Sequence, residues 1–474
     1  MKDLEADQAT VAVMSEHLSA MQSAHKADPV PSAEVRIDRL RRLERALLGA
    51  KDELIAAMQA DFCHRSAFEA DLADITMTLG EIRENRKSLK RWMKPRRVGV
   101  PKHFLPARGR VLPQPKGVAG IIAPWNYPVH LAIGPLAAAL AAGNRAMMKP
   151  SELSPRTSDR MARMIAEAFD PLEVTVVTGG PDVAVAFSAL PFDHLMFTGS
   201  TKVGRMVAEA AARNLTPVTL ELGGKSPTIV GESADLAYSS QRIALGKTAN
   251  GGQTCVAPDY VLVPRALMAD FAEMLAGAMR KLYPAESAGR DYTGLISERH
   301  FARLQSMLAE AEDAGTQIIR LDDLAIDPAR RQFAPALILD PDPGLTVMQE
   351  EIFGPLLPIV PYDSRAEAMA YVAARPAPLA LYIFTDSREE RDAWMEKSLS
   401  GGAGVNETCF HAAALPFGGV GESGMGAYRG QRGFDTFSHL KSVFYQPKRN
   451  GAFLFDPPIT DFKRRIARML QRIV

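Results

Sequence analysis

Apolar residues in the first hundred positions recur at three- and four-residue spacing, the period of a helix with one buried face. Leu40, Leu43 and Leu47 belong to such a stripe within residues 33–59, and residues 68–93 carry a similar one. Lysine and arginine crowd the end of the second stripe, where they suit the negative end of the helix dipole and indicate a solvated face. The pattern therefore predicts a helical N-terminal region.

Between residues 118 and 222 the pattern changes to short apolar or β-branched runs separated by helical stretches. The predicted strands are residues 118–123, 145–149, 174–178, 194–198 and 217–222. One intervening helix begins with Ser154 and Pro155, which are typical cap and first-turn residues. Strands alternating with helices predict a doubly wound parallel sheet, whose ligands bind beyond the C-terminal ends of the strands.

A second α/β series follows. Its predicted strands are residues 228–230, 260–263, 317–320, 357–361 and 380–385. Its predicted helices are residues 266–282, 298–314, 365–374 and 387–398. We expect the two units to meet near Gly223 and Gly224, with Glu221 and Cys255 on opposite sides of an interdomain cleft, a common kind of ligand site.

Two further segments have distinctive patterns. Residues 103–117 predict a β-hairpin, because Gly109 lies between two short apolar runs. The tail, residues 449–474, predicts a short amphipathic helix. Its apolar face holds Ile459, Phe462, Ile466, Met469, Leu470 and Ile473, and its other faces hold Lys463, Arg464, Arg465, Arg468 and Arg472. This helix could lie on an anionic membrane or dock on protein; we favour docking, because one short basic helix binds membranes weakly.

Composition limits the class of protein. A chain of 474 residues can bury more than one core. The 56 Lys and Arg balance 55 Asp and Glu, so no general attraction to nucleic acid is expected. The three cysteines, Cys63, Cys255 and Cys409, form no CxxC pair, so we expect neither a disulfide framework nor a metal site, and we expect a reducing, cytoplasmic location. Neither a secretory leader nor a membrane span is expected.

Candidate chemistry centres on a thiol and a carboxylate. Cys255 follows a glycine-rich polar stretch, which argues against the usual role of a lone cysteine as a small buried hydrophobe. Glu221 is the candidate base, although a carboxylate at a strand end can also be a simple surface group. Asn126 lies between Pro124 and Pro128 and can either donate to an oxyanion or close a turn.

Three other segments suit a dinucleotide. Gly199 and Ser200 begin a helix after a strand, where phosphate binds, although a plain helix cap explains them equally well. Lys149 and Glu152 follow another strand of the same sheet and can hold a ribose; the alternative is an exposed loop. A third segment, residues 350–355, offers a carboxylate and an aromatic ring, although taken alone it is an ordinary loop.

Together these segments resemble the aldehyde dehydrogenase superfamily, in order, over about residues 30–445. The matching segments are residues 124–128, 149–152, 197–200, 220–225, 252–255, 350–355 and 416–419. Residues 216–219, 255–260 and 416–426 resemble the class 3 branch, which includes fatty, aromatic and bacterial coniferyl aldehyde dehydrogenases. We favour the coniferyl aldehyde group, with a fatty or medium-chain aldehyde as the alternative substrate.

By this resemblance Cys255 attacks the aldehyde carbon, Asn126 and the Cys255 backbone N–H hold the oxyanion, and Glu221 activates the water that hydrolyses the thioester. The rival classes are an inactive relative, which would be expected to lose one of these three residues, and an acylating dehydrogenase, which would not need Glu221. Phe410 and His411 can line the substrate pocket or belong to a packed loop.

The resemblance also implies the remaining assignments. The cofactor is NAD, with NADP as the alternative, and the residues assigned to it are Trp125, Lys149, Glu152, Gly199, Ser200, Gly223, Glu351 and Phe353. The expected partner is a second copy of the chain. The expected parts are a cofactor domain (residues 1–102 and 118–222), a catalytic domain (223–415), an oligomerisation element (103–117 and 440–448) and the tail (449–474).

Overall fold

The computed structural model describes residues 2–324, 326–409, 411–454 and 456–471. Its helices are α1 (Lys2–Ala27), α2 (Ala33–Gly49), α3 (Lys51–Asp61), α4 (Ala67–Glu69), α5 (Met77–Trp92), α6 (His130–Ala142), α7 (Pro155–Ala168), α8 (Pro181–Ser188), α9 (Thr201–Ala212), α10 (Leu236–Thr248), α11 (Met268–Leu282), α12 (Ala288–Asp291), α13 (Glu298–Asp313), α14 (Thr346–Gln349), α15 (Arg365–Ala373), α16 (Arg388–Lys397), α17 (Gly430–Thr436) and α18 (Asp461–Leu470). A π-helical turn, Ala70–Thr76, joins α4 to α5.

The strands of the described chain form three sheets. They are β1 (Arg96–Val98), β2 (Arg108–Pro115), β3 (Val118–Ile122), β4 (Arg145–Lys149), β5 (Val174–Val176), β6 (His194–Thr198), β7 (Val218–Glu221), β8 (Pro227–Val230), β9 (Tyr260–Pro264), β10 (Gln317–Arg320), β11 (Ala336–Leu339), β12 (Leu356–Tyr362), β13 (Ala380–Phe384), β14 (Gly402–Val405), β15 (Gly424–Met425) and β16 (Ser438–Tyr445). The first hundred residues are mainly helical, as predicted, but the stripe within residues 33–59 is divided at Ala50, where α2 ends and α3 begins.

The first sheet confirms the predicted doubly wound unit. Its order is β15-β7-β6-β3-β4-β5, and the five strands predicted from the sequence are parallel. Apolar side chains of α2, α5 and α6 cover one face, and those of α1, α8 and α9 cover the other. The short strand β15 was not predicted. It pairs antiparallel with the end of β7, placing Gly424 opposite Glu221.

The second sheet has the order β10-β11-β12-β9-β8-β13-β14 and includes the five strands predicted for it. Two of its strands, β11 and β14, were not predicted, and neither were the helices α10, α12 and α14. β14 has the sequence Gly-Ala-Gly-Val, which has little intrinsic strand preference and is held by pairing with β13. The prediction also missed β11, a fully buried apolar run of four residues, and α10, which lacks a strong apolar stripe.

The third sheet corrects the predicted hairpin. No turn occurs at Gly109; instead β2 runs straight through it and pairs with β1 on one side and β16 on the other. Gly109 lies opposite Val98, and a Cβ on Gly109 would approach the Val98 carbonyl oxygen to 2.9 Å. The glycine therefore permits close approach of β1 rather than a chain reversal. The predicted association of residues 103–117 with 440–448 corresponds to the pairing of β2 with β16.

The predicted helix of the tail is α18, and none of its side chains is buried. Phe462 and Met469 on its apolar face are 63% and 54% exposed. Arg472 and Ile473, which were assigned to this helix, and Phe410, a predicted pocket residue, lie outside the described residues. Among the described helices, none combines the length and apolar character needed to cross a membrane.

Candidate active site

A cleft with a cavity volume of about 450 Å³ opens at the C-terminal ends of β3, β4, β6 and β7. It is lined by every residue that the sequence singled out for catalysis or cofactor binding: Trp125, Asn126, Lys149, Glu152, Gly199, Ser200, Glu221, Gly223, Cys255, Glu351 and Phe353. The first sheet supplies Glu221 at the end of β7, and the segment that leads into β9 of the second sheet supplies Cys255. The structure thus brings together side chains that are far apart in the chain.

Left-handed backbone precedes the cysteine. After α10 the chain passes through Asn250, Gly251 and Gly252 with φ values of 52°, 60° and 76°. Glycine and asparagine tolerate this conformation better than other residues. At Gly252 a Cβ would lie 2.4 Å from the backbone of Gly354, so only glycine allows the close approach of these two segments.

Hydrogen bonds between buried amides fix the residues around Cys255. The Asn126 side chain donates to the Gln253 carbonyl oxygen at 3.1 Å, and the Asn250 side chain donates to the Asn126 carbonyl oxygen at 3.0 Å. The Gln253 side chain donates to the Gly294 carbonyl oxygen and accepts from the Ile296 N–H. Because Asn126 uses one N–H for this network, its amide group still has a second N–H to offer.

Unlike Asn126 and Gln253, the side chain of Glu221 is not held by hydrogen bonds from the described residues. Both of its carboxylate oxygens are buried and have no hydrogen-bond partner within the described chain. Burial raises the pKa of this carboxyl well above its usual value, and the positive charge of Arg429 opposes the rise. A buried carboxyl with no partner is costly, which identifies it as a group kept for a ligand or water rather than for folding.

The thiol of Cys255 is also held in its neutral form. Burial, followed by the nearby carboxyls of Glu351 and Glu221, raises its pKa to about 12, and the positive charge of Arg429 opposes the rise. Glu351 has its own pKa raised to about 8, chiefly by burial and then by Asp259. The thiol and both carboxyls therefore ionise more readily when positive charge enters the cleft or the pH rises.

The residues that the sequence suggested for phosphate and ribose binding line the same cleft. Ser200 caps α9, its hydroxyl accepting from the Val203 N–H at 3.4 Å, so the cap interpretation holds and leaves the positive end of the helix at the cleft. Lys149 is almost fully buried, and its amino group lies 3.3 Å from a carboxylate oxygen of Glu152. Burial lowers the pKa of Lys149, and Glu152 opposes that effect.

The remaining predicted residues form the wall between the two sheets. A Cβ on Gly223 would overlap the carboxylate of Glu351, so a larger residue here would displace that carboxylate. The rings of Trp125 and Phe353 meet edge to face at 5.4 Å. The helix end, the paired acid and amine at the end of β4, and the glycine-lined wall together fit a dinucleotide such as NAD.

Several residues of the cleft were not predicted. His300 and Arg303 line it from α13, whose pattern indicates an ordinary amphipathic helix. Arg303 donates to the Glu351 carbonyl oxygen at 3.1 Å and so fixes the segment that carries this carboxylate. The only local signal is that both residues fall on one helical face, which is also expected of a solvated surface.

Beside the cleft lies a buried ionic cluster, defined as Glu81, His130, His411 and Arg429. Atoms of its carboxylate and two imidazoles lie within 4.8 Å of one another, a spacing that a metal ion could accept. However, Nε of Arg429 lies 2.8 Å from Glu81 Oε1 and already supplies the positive charge. The cluster is therefore an ion pair flanked by two histidines.

The sequence matches the model of the Aldehyde dehydrogenase family over residues 4–443. It is 46% identical over 439 residues, covering 92% of each chain, to a Pseudomonas aeruginosa protein named "Probable coniferyl aldehyde dehydrogenase". It is 39% identical to aldehyde dehydrogenase family 3 member A2 of Pongo abelii, covering 88% of this chain and 85% of the relative. The class 3 resemblance is thereby confirmed.

Solved structures agree with this relationship. A Staphylococcus aureus AldH structure in its substrate-bound state superimposes with a TM-score of 0.89 at 36% identity, covering 96% of this chain and 99% of the other. Indole-3-acetaldehyde dehydrogenase in complex with NAD⁺ gives a TM-score of 0.83 at 25% identity, covering 92% and 89%. The chain belongs to the aldehyde dehydrogenase family, and is an NAD(P)-dependent enzyme that oxidises an aldehyde to the carboxylic acid.

Proposed function

We propose that this enzyme oxidises an aromatic aldehyde of the coniferyl type, with Cys255 as nucleophile, Asn126 as oxyanion donor and Glu221 as base for hydrolysis. The observation that carries the mechanism is the buried, unpartnered carboxylate of Glu221 in the same cleft as Cys255. The substrate class is supported by the coniferyl aldehyde dehydrogenases among the relatives of this chain.

In the first step the Cys255 thiol gives its proton to water. The resulting thiolate forms a bond to the aldehyde carbon, and the carbonyl electron pair moves to oxygen. The second N–H of the Asn126 amide and the Cys255 backbone N–H hold this oxyanion. A preorganised donor of this kind typically lowers the barrier by about 3 kcal/mol. The hydrogen bond to Gln253 keeps the Asn126 amide in place before the substrate arrives.

Bound NAD supplies the hydride acceptor. When the oxyanion collapses, the hydride leaves the carbon and the carbon–oxygen double bond re-forms as a thioester on Cys255. Glu221 then accepts a proton from water while the water oxygen attacks the thioester carbon. The sulfur of Cys255 departs as thiolate. Because none of the described residues forms a hydrogen bond with the Glu221 carboxylate, its oxygens are available to that water.

The cofactor is proposed to lie across the first sheet. Ser200 and the N-terminal end of α9 hold the pyrophosphate, Lys149 and Glu152 hold the adenosine ribose, and Glu351 with Phe353 positions the nicotinamide ribose. Trp125, Gly199 and Gly223 complete the walls. Glu152 favours NAD, since its negative charge repels the 2′-phosphate of NADP. NAD and NADP titrations of wild type and Glu152→Gln test this preference, which the variant should weaken.

The direct test measures NADH absorbance with coniferyl, benzyl and medium-chain aldehydes and with both cofactors. We expect the highest kcat/KM with coniferyl aldehyde and NAD, and no NADH formation by Cys255→Ala. A preference for medium-chain aliphatic aldehydes would replace the substrate with the fatty alternative. Normal turnover by Cys255→Ala would refute the mechanism.

We propose that the chain forms a homodimer in which the edge strand β16 extends the sheet of a second copy. Among the described strands, β16 pairs only with β2, and its residues Leu440, Phe444 and Tyr445 are exposed. Phe444→Asp should yield monomers in sedimentation velocity. An unaltered dimer would place the interface elsewhere.

The tail is proposed to dock on protein, either over the substrate entrance or on a partner subunit, because α18 exposes its apolar face within its own chain. Weak contact with an anionic membrane is the alternative. Deleting residues 459–474 should change KM for long or aromatic aldehydes, and unchanged kinetics with unchanged liposome binding would eliminate both docking and membrane contact.

A cytoplasmic location is supported by the three free cysteines, Cys63, Cys255 and Cys409.

A further inference from the structure

The buried ionic cluster of Glu81, His130, His411 and Arg429 is not used by the mechanism above, yet it borders the cleft. The guanidinium of Arg429 lies 4.3 Å from the ring centroid of Phe417, and Phe417 lines the cleft. Leu131, the neighbour of His130, also lines the cleft. The charge of Arg429 acts on both Cys255 and Glu221, which agrees with this proximity.

Room for the cluster is built into α6. Gly134 lies in the middle of this helix, where glycine costs about 1 kcal/mol relative to alanine. A Cβ at this position would overlap the carboxylate of Glu81. Glycine at position 134 therefore weakens α6 but leaves space for the Glu81 carboxylate.

Within the cluster, His130 has both ring nitrogens engaged. Its Nδ1 lies 3.0 Å from the Thr78 hydroxyl, and Arg429 donates to its Nε2 at 3.1 Å. Burial, the largest influence, lowers the pKa of His130 to about 3, so the ring is neutral. His130 therefore has no free ring nitrogen with which to bind a ligand.

His411 differs from its neighbour. Its Nε2 lies 3.0 Å from Glu81 Oε1, and its side chain is 13% exposed. Because a carboxylate accepts, this nitrogen carries the proton, and in the neutral ring Nδ1 is left as an acceptor. Within the described chain no hydrogen bond reaches Nδ1 of His411. The cluster, which reaches the cleft through Arg429 and Phe417, therefore leaves one oriented acceptor on His411, a residue that does not itself line the cleft.

We propose that His411 determines specificity: its Nδ1 accepts a hydrogen bond from a hydroxyl group on the ring of an aromatic aldehyde whose carbonyl lies at Cys255. This inference rests on the proposed function and assigns recognition of the phenolic hydroxyl to a particular residue. Glu81 acts through His411 as a positioning residue, since it fixes the tautomer and the ring orientation. An aldehyde without the hydroxyl leaves this acceptor unpaired and is disfavoured.

The test compares 4-hydroxycinnamaldehyde, cinnamaldehyde and 4-methoxycinnamaldehyde, which differ only at the ring position in question. For wild type, kcat/KM should be highest with the hydroxylated aldehyde. His411→Phe keeps an aromatic ring without a nitrogen and should lower the ratio of hydroxylated to unsubstituted kcat/KM roughly tenfold, mainly through KM, as expected for one neutral hydrogen bond. His411→Asn, whose amide oxygen can accept, should restore part of the ratio.

His17→Phe is the matched control, since His17 lies on α1, away from the cleft lining, and should keep the wild-type ratio. An equal loss for all three aldehydes in His411→Phe would mean that the cluster is only structural, and an unchanged ratio would also overturn the proposal. Calorimetric binding of 4-hydroxycinnamate and cinnamate gives a readout that does not need turnover. If wild type oxidised no aromatic aldehyde, the proposed function would fail, while the binding ratio of the two acids would still decide the role of His411.

Discussion

The two catalytic sides of the cleft are built in opposite ways. On the cysteine side, Asn126 and Gln253 are tied into buried hydrogen bonds, and glycine at 252 permits a contact that no other residue allows. On the carboxylate side, Glu221 ends a strand with both oxygens buried and unpaired. The comparison indicates that positional accuracy is needed for the bond-forming step, whereas the hydrolytic base is left open for water at the cost of an unfavourable burial.

Removing the base should have the largest effect that leaves the first step intact. Glu221→Gln keeps the size of the side chain but cannot accept a proton from water, so kcat should fall by about 10²–10⁴. Stopped-flow absorbance should still show one rapid equivalent of NADH per site before the slow phase. If kcat fell and the burst also disappeared, Glu221 would act before hydrolysis instead.

The rigid side is tested by removing its oxyanion donor. Asn126→Ala should lower kcat by about 10²–10³, the usual effect of losing one such donor. Unlike Glu221→Gln, it should abolish the burst, because the step before hydride loss is slowed. Asn126→Asp is the size-matched control; an activity equal to wild type in either variant would remove Asn126 from the mechanism.

The close approach at residue 252 gives a structural test of the same side. Gly252→Ala places a Cβ against the Gly354 backbone and forces a left-handed conformation on alanine, so both segments must shift. We expect a kcat loss of about tenfold or more together with a lower thermal midpoint. Gly277→Ala, on the surface of α11 with open space around its Cβ position, is the control and should not lower the midpoint.

The electrostatics predict a smaller effect, on pH dependence. Burial raises the pKa of Cys255 and of Glu221, so the ionised fraction of each grows as pH rises, and kcat/KM should increase towards alkaline pH. Arg429 opposes both shifts; Arg429→Gln should therefore raise both pKa values further and move the rising limb to higher pH. A limb that stayed in place or moved to lower pH would show that Arg429 does not act on these groups.

The sequence located the site better than it located the elements around it. The strands of the first sheet follow from short apolar runs separated by helical stretches. The residues at the C-terminal ends of these strands reach one cleft because parallel strands end at the same edge of a sheet. β14 and β15 were missed, since Gly-rich and two-residue strands form only through their partners. Gly109 was interpreted as a turn although it serves strand contact. The ionic cluster joins residues 81, 130, 411 and 429, whose proximity no local pattern reveals.

The central claim is that Cys255 bonds to the substrate and Glu221 serves the later hydrolysis. The most direct test is mass spectrometry of Glu221→Gln, quenched in acid within seconds of mixing with NAD and coniferyl aldehyde. The account predicts a thioester adduct on the peptide that contains Cys255, in near-stoichiometric amount, and much less of it in wild type, where Glu221 clears it. Absence of any adduct on Cys255 while NADH is formed, or an adduct located only on Cys63 or Cys409, would contradict it.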